Sequence, residues 1–171
     1  MSKKNSLDKY YTKDAIAEVC IKYFKLLVED FDRYTKIEPS AGNGAFLNKL
    51  HNCVGYDIAP EAANIIEQDW FTLIPYWAKE NTIIIGNPPF GKNSSTAKEF
   101  LKKSVKYAKY VGFILPKTFN KPLFRQMLGL DYGVLFSMDL PKHSFLLNDE
   151  PYSVPCVFQI WGEKATDKVE Y

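Results

Sequence analysis

Ile83-Ile84-Ile85-Gly86-Asn87-Pro88-Pro89-Phe90-Gly91 is the stretch from which the rest of the chain can be read. Three β-branched residues in a row fit a strand buried on both faces, as inside a parallel sheet. Gly86 ends that strand, and an Asn-Pro-Pro-aromatic turn follows. Each proline fixes φ, lacks an N–H and restricts the residue before it. The loop is therefore stiff, and its carbonyls are free to accept hydrogen bonds from outside the chain. Asn87 adds a neutral side-chain acceptor and Phe90 a flat apolar face. Two acceptors beside a ring suit a planar group carrying an exocyclic amine. A tight turn closing a core strand is the plainer alternative.

Outward from this loop, strands and helices alternate. From Asp14 the residues Ile16, Val19, Cys20, Tyr23, Phe24 and Leu27 recur at helical spacing, with Thr12 as N-cap and Asp14 in the first turn. Tyr34–Glu38 reads as a strand, followed by Pro39-Ser40-Ala41-Gly42-Asn43-Gly44 and a helix over Ala45–Leu50. Cys53–Asp57 and Asn64–Glu67 read as further strands. Residues 70–81 are ambiguous, with Trp70, Phe71, Tyr76 and Trp77 interrupted by Pro75. After strand 82–86 and a polar linker at 91–95, a helix is predicted over 96–109 with Ala97, Phe100, Leu101, Val105 and Ala108 inward. Tyr110–Leu115 is an apolar strand, 119–128 a predicted helix, and Leu135–Leu140 and Val154–Trp161 two closing strands. Such alternation implies a parallel sheet covered on both faces, and the closing pair implies an antiparallel hairpin at one edge. The expected fold is therefore α/β, with a mostly parallel seven-stranded sheet and ligands at the carboxyl ends of its strands.

The 171 residues suit a single domain over 1–171, with a polar, loose segment at 1–9 and no separate target-recognition domain. With 46% hydrophobic and 25% charged residues, composition is that of an ordinary globular protein, and a net charge of +2 gives no global polyelectrolyte signature. Cys20, Cys53 and Cys156 lie too far apart for a zinc pattern or a clear disulfide framework. Met1–Asn5 is not followed by an apolar run, and no stretch reaches the ~20 apolar residues of a membrane span. The expectation is an intracellular, cytoplasmic protein in a reducing compartment, with no membrane association and no metal.

The Asn87–Phe90 loop resembles motif IV of the S-adenosylmethionine-dependent amino-methyltransferases, where an (Asp/Asn/Ser)-Pro-Pro-aromatic loop holds the amine of a base or of a glutamine side chain. Other loops carry the same resemblance. Glu38-Pro39-Ser40-Ala41-Gly42-Asn43-Gly44 looks like motif I, which implies that Ser40, Gly42 and Gly44 face the methionine part of S-adenosylmethionine and Glu38 its ammonium. Asp57, 15 residues beyond Gly42, is similar to the motif II acid that takes the ribose hydroxyls, with Ile58 against the adenine. Asp69-Trp70 looks like motif III, with the carboxylate on the cofactor's adenine amine. Tyr11-Thr12-Lys13 resembles the start of motif X, with Lys13 where proline usually stands. Motif X first is the gamma order of DNA adenine methyltransferases, and the likeness runs from about residue 10 to 161. It implies a Rossmann-like class I methyltransferase fold, S-adenosyl-L-methionine as cofactor, and Asn87, Pro88, Pro89 and Phe90 as the catalytic loop.

Transfer from a sulfonium is a direct displacement, so alignment matters more than a strong base. Acceptors at the Asn87 side chain and the Pro88 carbonyl would stabilise positive charge developing on an adenine amine. Phe90 would stack on the base, with Phe145 the candidate second face by resemblance to motif VIII, a core position being its alternative. From Lys92 to Arg125 nine basic residues face one acid. Lys98, Lys102, Lys106 and Lys109 share a helical face that is either solvated or electrostatic. Lys92, Lys117, Lys121 and Arg125 lie nearer the expected mouth and suit phosphates. The expected reaction is methylation of the N6 amine of adenine in DNA or RNA, with a partner subunit as one source of specificity. Guanine N2-methylation of RNA, glutamine methylation of protein, and a catalytically silent cofactor-binding subunit are the alternatives.

Overall fold

The computed structural model describes residues 10–147, 150–152 and 154–164. The loose segment expected at 1–9 lies outside the described residues. The strands are β1 (Tyr11–Thr12), β2 (Thr35–Glu38), β3 (Cys53–Asp57), β4 (Ile65–Glu67), β5 (Thr82–Gly86), β6 (Tyr110–Pro116), β7 (Tyr132–Asp139), β8 (Phe145–Leu147), β9 (Glu150–Tyr152) and β10 (Cys156–Glu163). The helices are α1 (Asp14–Leu27), α2 (Ser95–Tyr107) and the single turn α3 (Pro122–Arg125).

Seven of these strands form one sheet in the order β4-β3-β2-β5-β6-β10-β7. From β4 to β6 the pairing is parallel, and β10 runs antiparallel between β6 and β7. The closing antiparallel pair is thus present, with β10 inserted inside the sheet and β7 at its edge. This is the Rossmann-like methyltransferase arrangement, and it explains the opening stretch. Ile83 and Ile85 pack with Ala17, Cys20 and Phe24 of α1, whereas Ile84 packs with Phe100, Leu101 and Val105 of α2. A central strand alternates its side chains between faces, so covering both faces demands three apolar residues in succession. All three isoleucines are fully buried.

The helix expected over Ala45–Leu50 is only a 3-10 turn at Leu47–Lys49. Its Leu47 N–H is captured by the Glu38 carboxylate at 2.8 Å, and Asn52, at φ +53°, ends the segment before β3. The helix expected over 119–128 is split into a 3-10 turn at Lys117–Asn120 and α3. Pro122 is the cause: the residue before it, Lys121, sits at φ −66°, ψ 143°, outside helical space. A second sheet, β1-β8-β9, was not foreseen. It pairs Tyr11 with Leu146 and Thr12 with Phe145, bringing the start of the chain to the segment after β7.

Candidate active site

Four loops that leave β2, β3, β4 and β5 converge on one cleft of about 300 Å³ at the carboxyl edge of the sheet. Its walls include Ser40 and Gly42 after β2, Asp57 and Ile58 at the end of β3, Asp69, Trp70 and Phe71 after β4, and Asn87 and Pro89 after β5. Tyr10 and Tyr11 close it from the small sheet, and Thr96 and Phe100 from α2.

Local chemistry shapes each loop. Gly42 turns the chain at φ +59°, a conformation that side chains resist, and its N–H donates to Asp57 Oδ2 at 2.8 Å. Asp57 Oδ1 accepts the Ala59 N–H at 2.8 Å, so this carboxylate ties two loops together while lining the cleft at 5% exposure. Asp69 folds its own turn by accepting the Phe71 N–H at 2.9 Å. Ser40 Oγ donates to the Asn87 carbonyl at 3.1 Å and joins the loops after β2 and β5. At Gly91, φ +71°, a Cβ would stand 2.2 Å from Thr96 Oγ1, so only glycine lets the loop turn into α2. The Ala97 N–H at the start of α2 then holds the Phe90 carbonyl at 3.2 Å.

Asn87 is held from one side. Its Nδ2 donates to the Tyr10 carbonyl at 3.2 Å and to Thr12 Oγ1 at 3.3 Å, both beyond the reach of sequence reasoning because the partners lie 77 and 75 residues away. Spending the amide nitrogen on β1 and its neighbour leaves Oδ1 as the acceptor available at the cleft. Tyr11 completes the strap by donating its hydroxyl to Glu61.

Nine of the expected residues line the cleft: Tyr11, Ser40, Gly42, Asp57, Ile58, Asp69, Trp70, Asn87 and Pro89. Thr12, Gly44 and Pro88 are buried behind it. Glu38, expected at the cofactor ammonium, is 2% exposed and bonded to the Leu47 N–H instead. Burial pushes its carboxyl well above the usual range; the Leu47 bond opposes that shift and the nearby Asp57 adds to it. Phe90 is half-buried and packs against the clusters on both faces of the sheet rather than lining the cleft. Phe145, expected as a second stacking face, is a core residue at 1% exposure, 6.5 Å from the Tyr10 ring. Pairing of β8 with β1 turns it inward.

Among the basic candidates, Lys92 and Lys121 are exposed. Lys117 pairs with Asp139 at 3.4 Å, and Arg125 is tied through Nε and Nη2 to Asn120 at 3.2 and 3.0 Å. Asn120 in turn accepts from Ser137 and the buried Gln159, so the segment after β6 is fixed to the sheet. Lys98 stands 4.6 Å from the Phe124 ring centre. Sequence reasoning missed Tyr10, Gln68, Phe71, Thr96 and Phe100 as cleft residues. The signal for Phe71 was its place beside Asp69-Trp70.

S-adenosylmethionine, which the motifs imply, fits this donor set. Asp57 offers acceptors for a diol at a strand end, and Asp69 an acceptor for an amine. Ile58 and Phe71 line the cleft while 57% and 46% exposed, apolar surface that a flat ring would cover. No group of three His, Cys, Asp or Glu side chains able to hold a metal is found among the described residues. No helix there is long and apolar enough to cross a membrane.

The sequence matches no protein-family model and no curated protein. Solved structures match well in fold. A Listeria monocytogenes protein provisionally assigned as a class I S-adenosylmethionine-dependent methyltransferase aligns with TM-score 0.70 at 14% identity, over 94% of this chain and 62% of that one. A Pyrococcus horikoshii protein provisionally assigned as an RNA methyltransferase aligns with TM-score 0.67 at 16% identity, over 92% and 87%. The 23S rRNA methyltransferase ErmE aligns with TM-score 0.60 at 13% identity, over 94% and 72%. The chain thus spans less than two thirds of the Listeria protein, and at these identities the likeness is one of fold.

Proposed function

We propose that this chain is an S-adenosylmethionine-dependent methyltransferase acting on the N6 amine of adenine in nucleic acid, RNA being favoured. The observation that carries the reading is Asn87. Its Nδ2 is anchored to Tyr10 and Thr12 and its Oδ1 is left to accept at the mouth of a cleft that Asp57 and Asp69 also line. When bound, the cofactor would supply the methyl group and leave as S-adenosylhomocysteine, and the methylated amine would lose a proton to solvent.

The chain's own residues position and polarise. Asp57 accepts from the cofactor ribose, and Asp69 with Ile58 and Phe71 receives its adenine. Asn87 Oδ1 draws a hydrogen bond from the target amine. That favours a tetrahedral nitrogen and stabilises its developing charge. Pro88, whose carbonyl the sequence also offers for this, is buried and outside the cleft lining. Pro88 and Pro89 stiffen the loop that carries the Asn87 acceptor, since their φ angles are fixed. The preference for RNA is supported by two of the matched structures being named for RNA methylation.

A labelled-methyl transfer assay over RNA, DNA and protein, with nucleoside analysis of the product, tests this. The expected product is N6-methyladenosine. Asn87→Ala should remove most transfer while S-adenosylhomocysteine binds within a few-fold of wild type, because the acceptor matters in the transition state. Label in guanosine or in protein glutamine would overturn the substrate assignment.

A further inference from the structure

The reading of the cleft as an adenosine site leaves one neighbouring group without a role. Lys103 lies on the third turn of α2, and its ammonium reaches back to the turn after β4. It donates to the Trp70 carbonyl and, at 2.7 Å, to the Leu73 carbonyl. It also stands 5.1 Å from the Trp70 ring centre. Trp70 cannot hold itself by its own polar atom, because its buried indole N–H has no acceptor among the described residues. A stack on Trp77 at 6.2 Å and the Lys103 ammonium fix it instead.

The other hydrogen bonds of the Asp69–Leu73 turn close it upon itself. The Thr72 and Leu73 N–H groups, the Thr72 hydroxyl and the Gln68 amide donate to the Asp69 carbonyl, and the Phe71 N–H donates to Asp69 Oδ1. Its contacts with the body of the protein include the Trp70 side chain, buried in the core at 1% exposure, and α2, where Phe71 meets Phe100 edge-on at 4.8 Å and Lys103 clamps two carbonyls. The turn carries Asp69, Trp70 and Phe71, three consecutive residues of the cleft wall.

We propose that Lys103 is a positioning residue that holds the adenine-side wall of the cofactor cleft by joining two carbonyls of the Asp69–Leu73 turn to α2. The inference rests on the functional reading above. A single ammonium bridging two carbonyls and a ring gives the wall one geometry. An apolar side chain of equal length leaves both carbonyls unpaired and the turn free to shift. Arginine keeps two N–H donors at nearly the same reach and should restore part of the function.

Isothermal titration with adenosine and with S-adenosylhomocysteine separates the possibilities, using wild type, Lys103→Met, Lys103→Arg and, as control, Lys102→Met. Lys102 lies next to Lys103 on α2, with only an exposed pairing to Glu99 at 3.4 Å. For Lys103→Met both ligands should bind roughly tenfold more weakly, the loss of about one charge-assisted bond. The cofactor KM should rise by a like factor with kcat little changed. Lys103→Arg should recover most of the affinity, and Lys102→Met should match wild type. Wild-type affinity in Lys103→Met overturns the proposal, as does weakening confined to S-adenosylhomocysteine, which would place the effect at the methionine end. If Lys103→Met fails to fold, Lys103→Gln takes its place with the same expectation, and wild-type affinity in Lys103→Gln overturns the proposal. Wild-type protein that binds neither ligand overturns the cofactor reading itself along with this one.

Discussion

At the scale of single residues, Asp57 shows how one carboxylate serves structure and site together. Both oxygens already accept backbone N–H groups, from Gly42 and from Ala59. The same carboxylate lines the cleft at the end of β3, where the proposed cofactor's ribose diol would meet it. The substitution Asp57→Ala therefore removes more than a ligand contact. It takes the carboxylate away from the Gly42 and Ala59 N–H groups at a half-buried position, a cost of about 2 kcal/mol. Calorimetry should show S-adenosylhomocysteine affinity down at least about tenfold. Thermal unfolding should show Tm lower by on the order of 4–8 °C. Asp57→Asn keeps an acceptor oxygen for one of the loops, and should lose affinity with a smaller fall in Tm. Equal affinity in Asp57→Ala and wild type would place the ribose elsewhere.

Among elements, legibility in the sequence followed the length of the physical signal. α1 spans four turns and β5 is buried on both faces, so their periods were plain in Asp14–Leu27 and Ile83–Ile85. Pro122 was visible and should have split the helix expected over 119–128, because its ring displaces Lys121 from helical space. β1 is two residues long and β8 three, too short for any period, and their pairing is decided by tertiary packing. That pairing is what turned Phe145 into the core and brought Tyr10 and Thr12 to Asn87. The loops after β2, β3, β4 and β5 were found by motif, yet the orientation of Asn87 was not legible without β1. If β1 orients the catalytic amide, removing one anchor should act on turnover more than on cofactor binding. Thr12→Val deletes the Oγ1 acceptor and keeps the shape. Methyl transfer should fall about fivefold, the worth of one neutral hydrogen bond near 1 kcal/mol, with S-adenosylhomocysteine affinity nearly unchanged. Full activity in Thr12→Val would remove the strand from the mechanism and leave Tyr10 as the sole anchor.

For the whole molecule, the proposed function raises the question of which form of nucleic acid could present an amine to Asn87. Asn87 is half-buried in a cleft at the carboxyl edge of the sheet that Tyr10 and Tyr11 also line. An adenine stacked and paired in a duplex has its N6 atom engaged and its faces covered, so it must leave the helix to reach that depth. Unstacking costs a few kcal/mol, a cost absent in a loop or bulge. Electrostatics near the site is modest. Net charge is only +2, Lys117 is paired with Asp139, and Arg125 is held by Asn120. Of the four basic candidates nearest the cleft, Lys92 and Lys121 are the exposed ones with no ion pair among the described residues. Two phosphate contacts would give a slope of log affinity against log salt near −1.4 on single strands, far shallower than for a strongly basic protein. Lys92→Ala and Lys121→Ala should each flatten that slope by about 0.7 without altering which base is modified. Unpaired adenine should be methylated faster than the same adenine in a perfect duplex, in competition assays with hairpins that differ only in pairing. A preference for the perfect duplex would overturn this reading of how the base reaches the cleft.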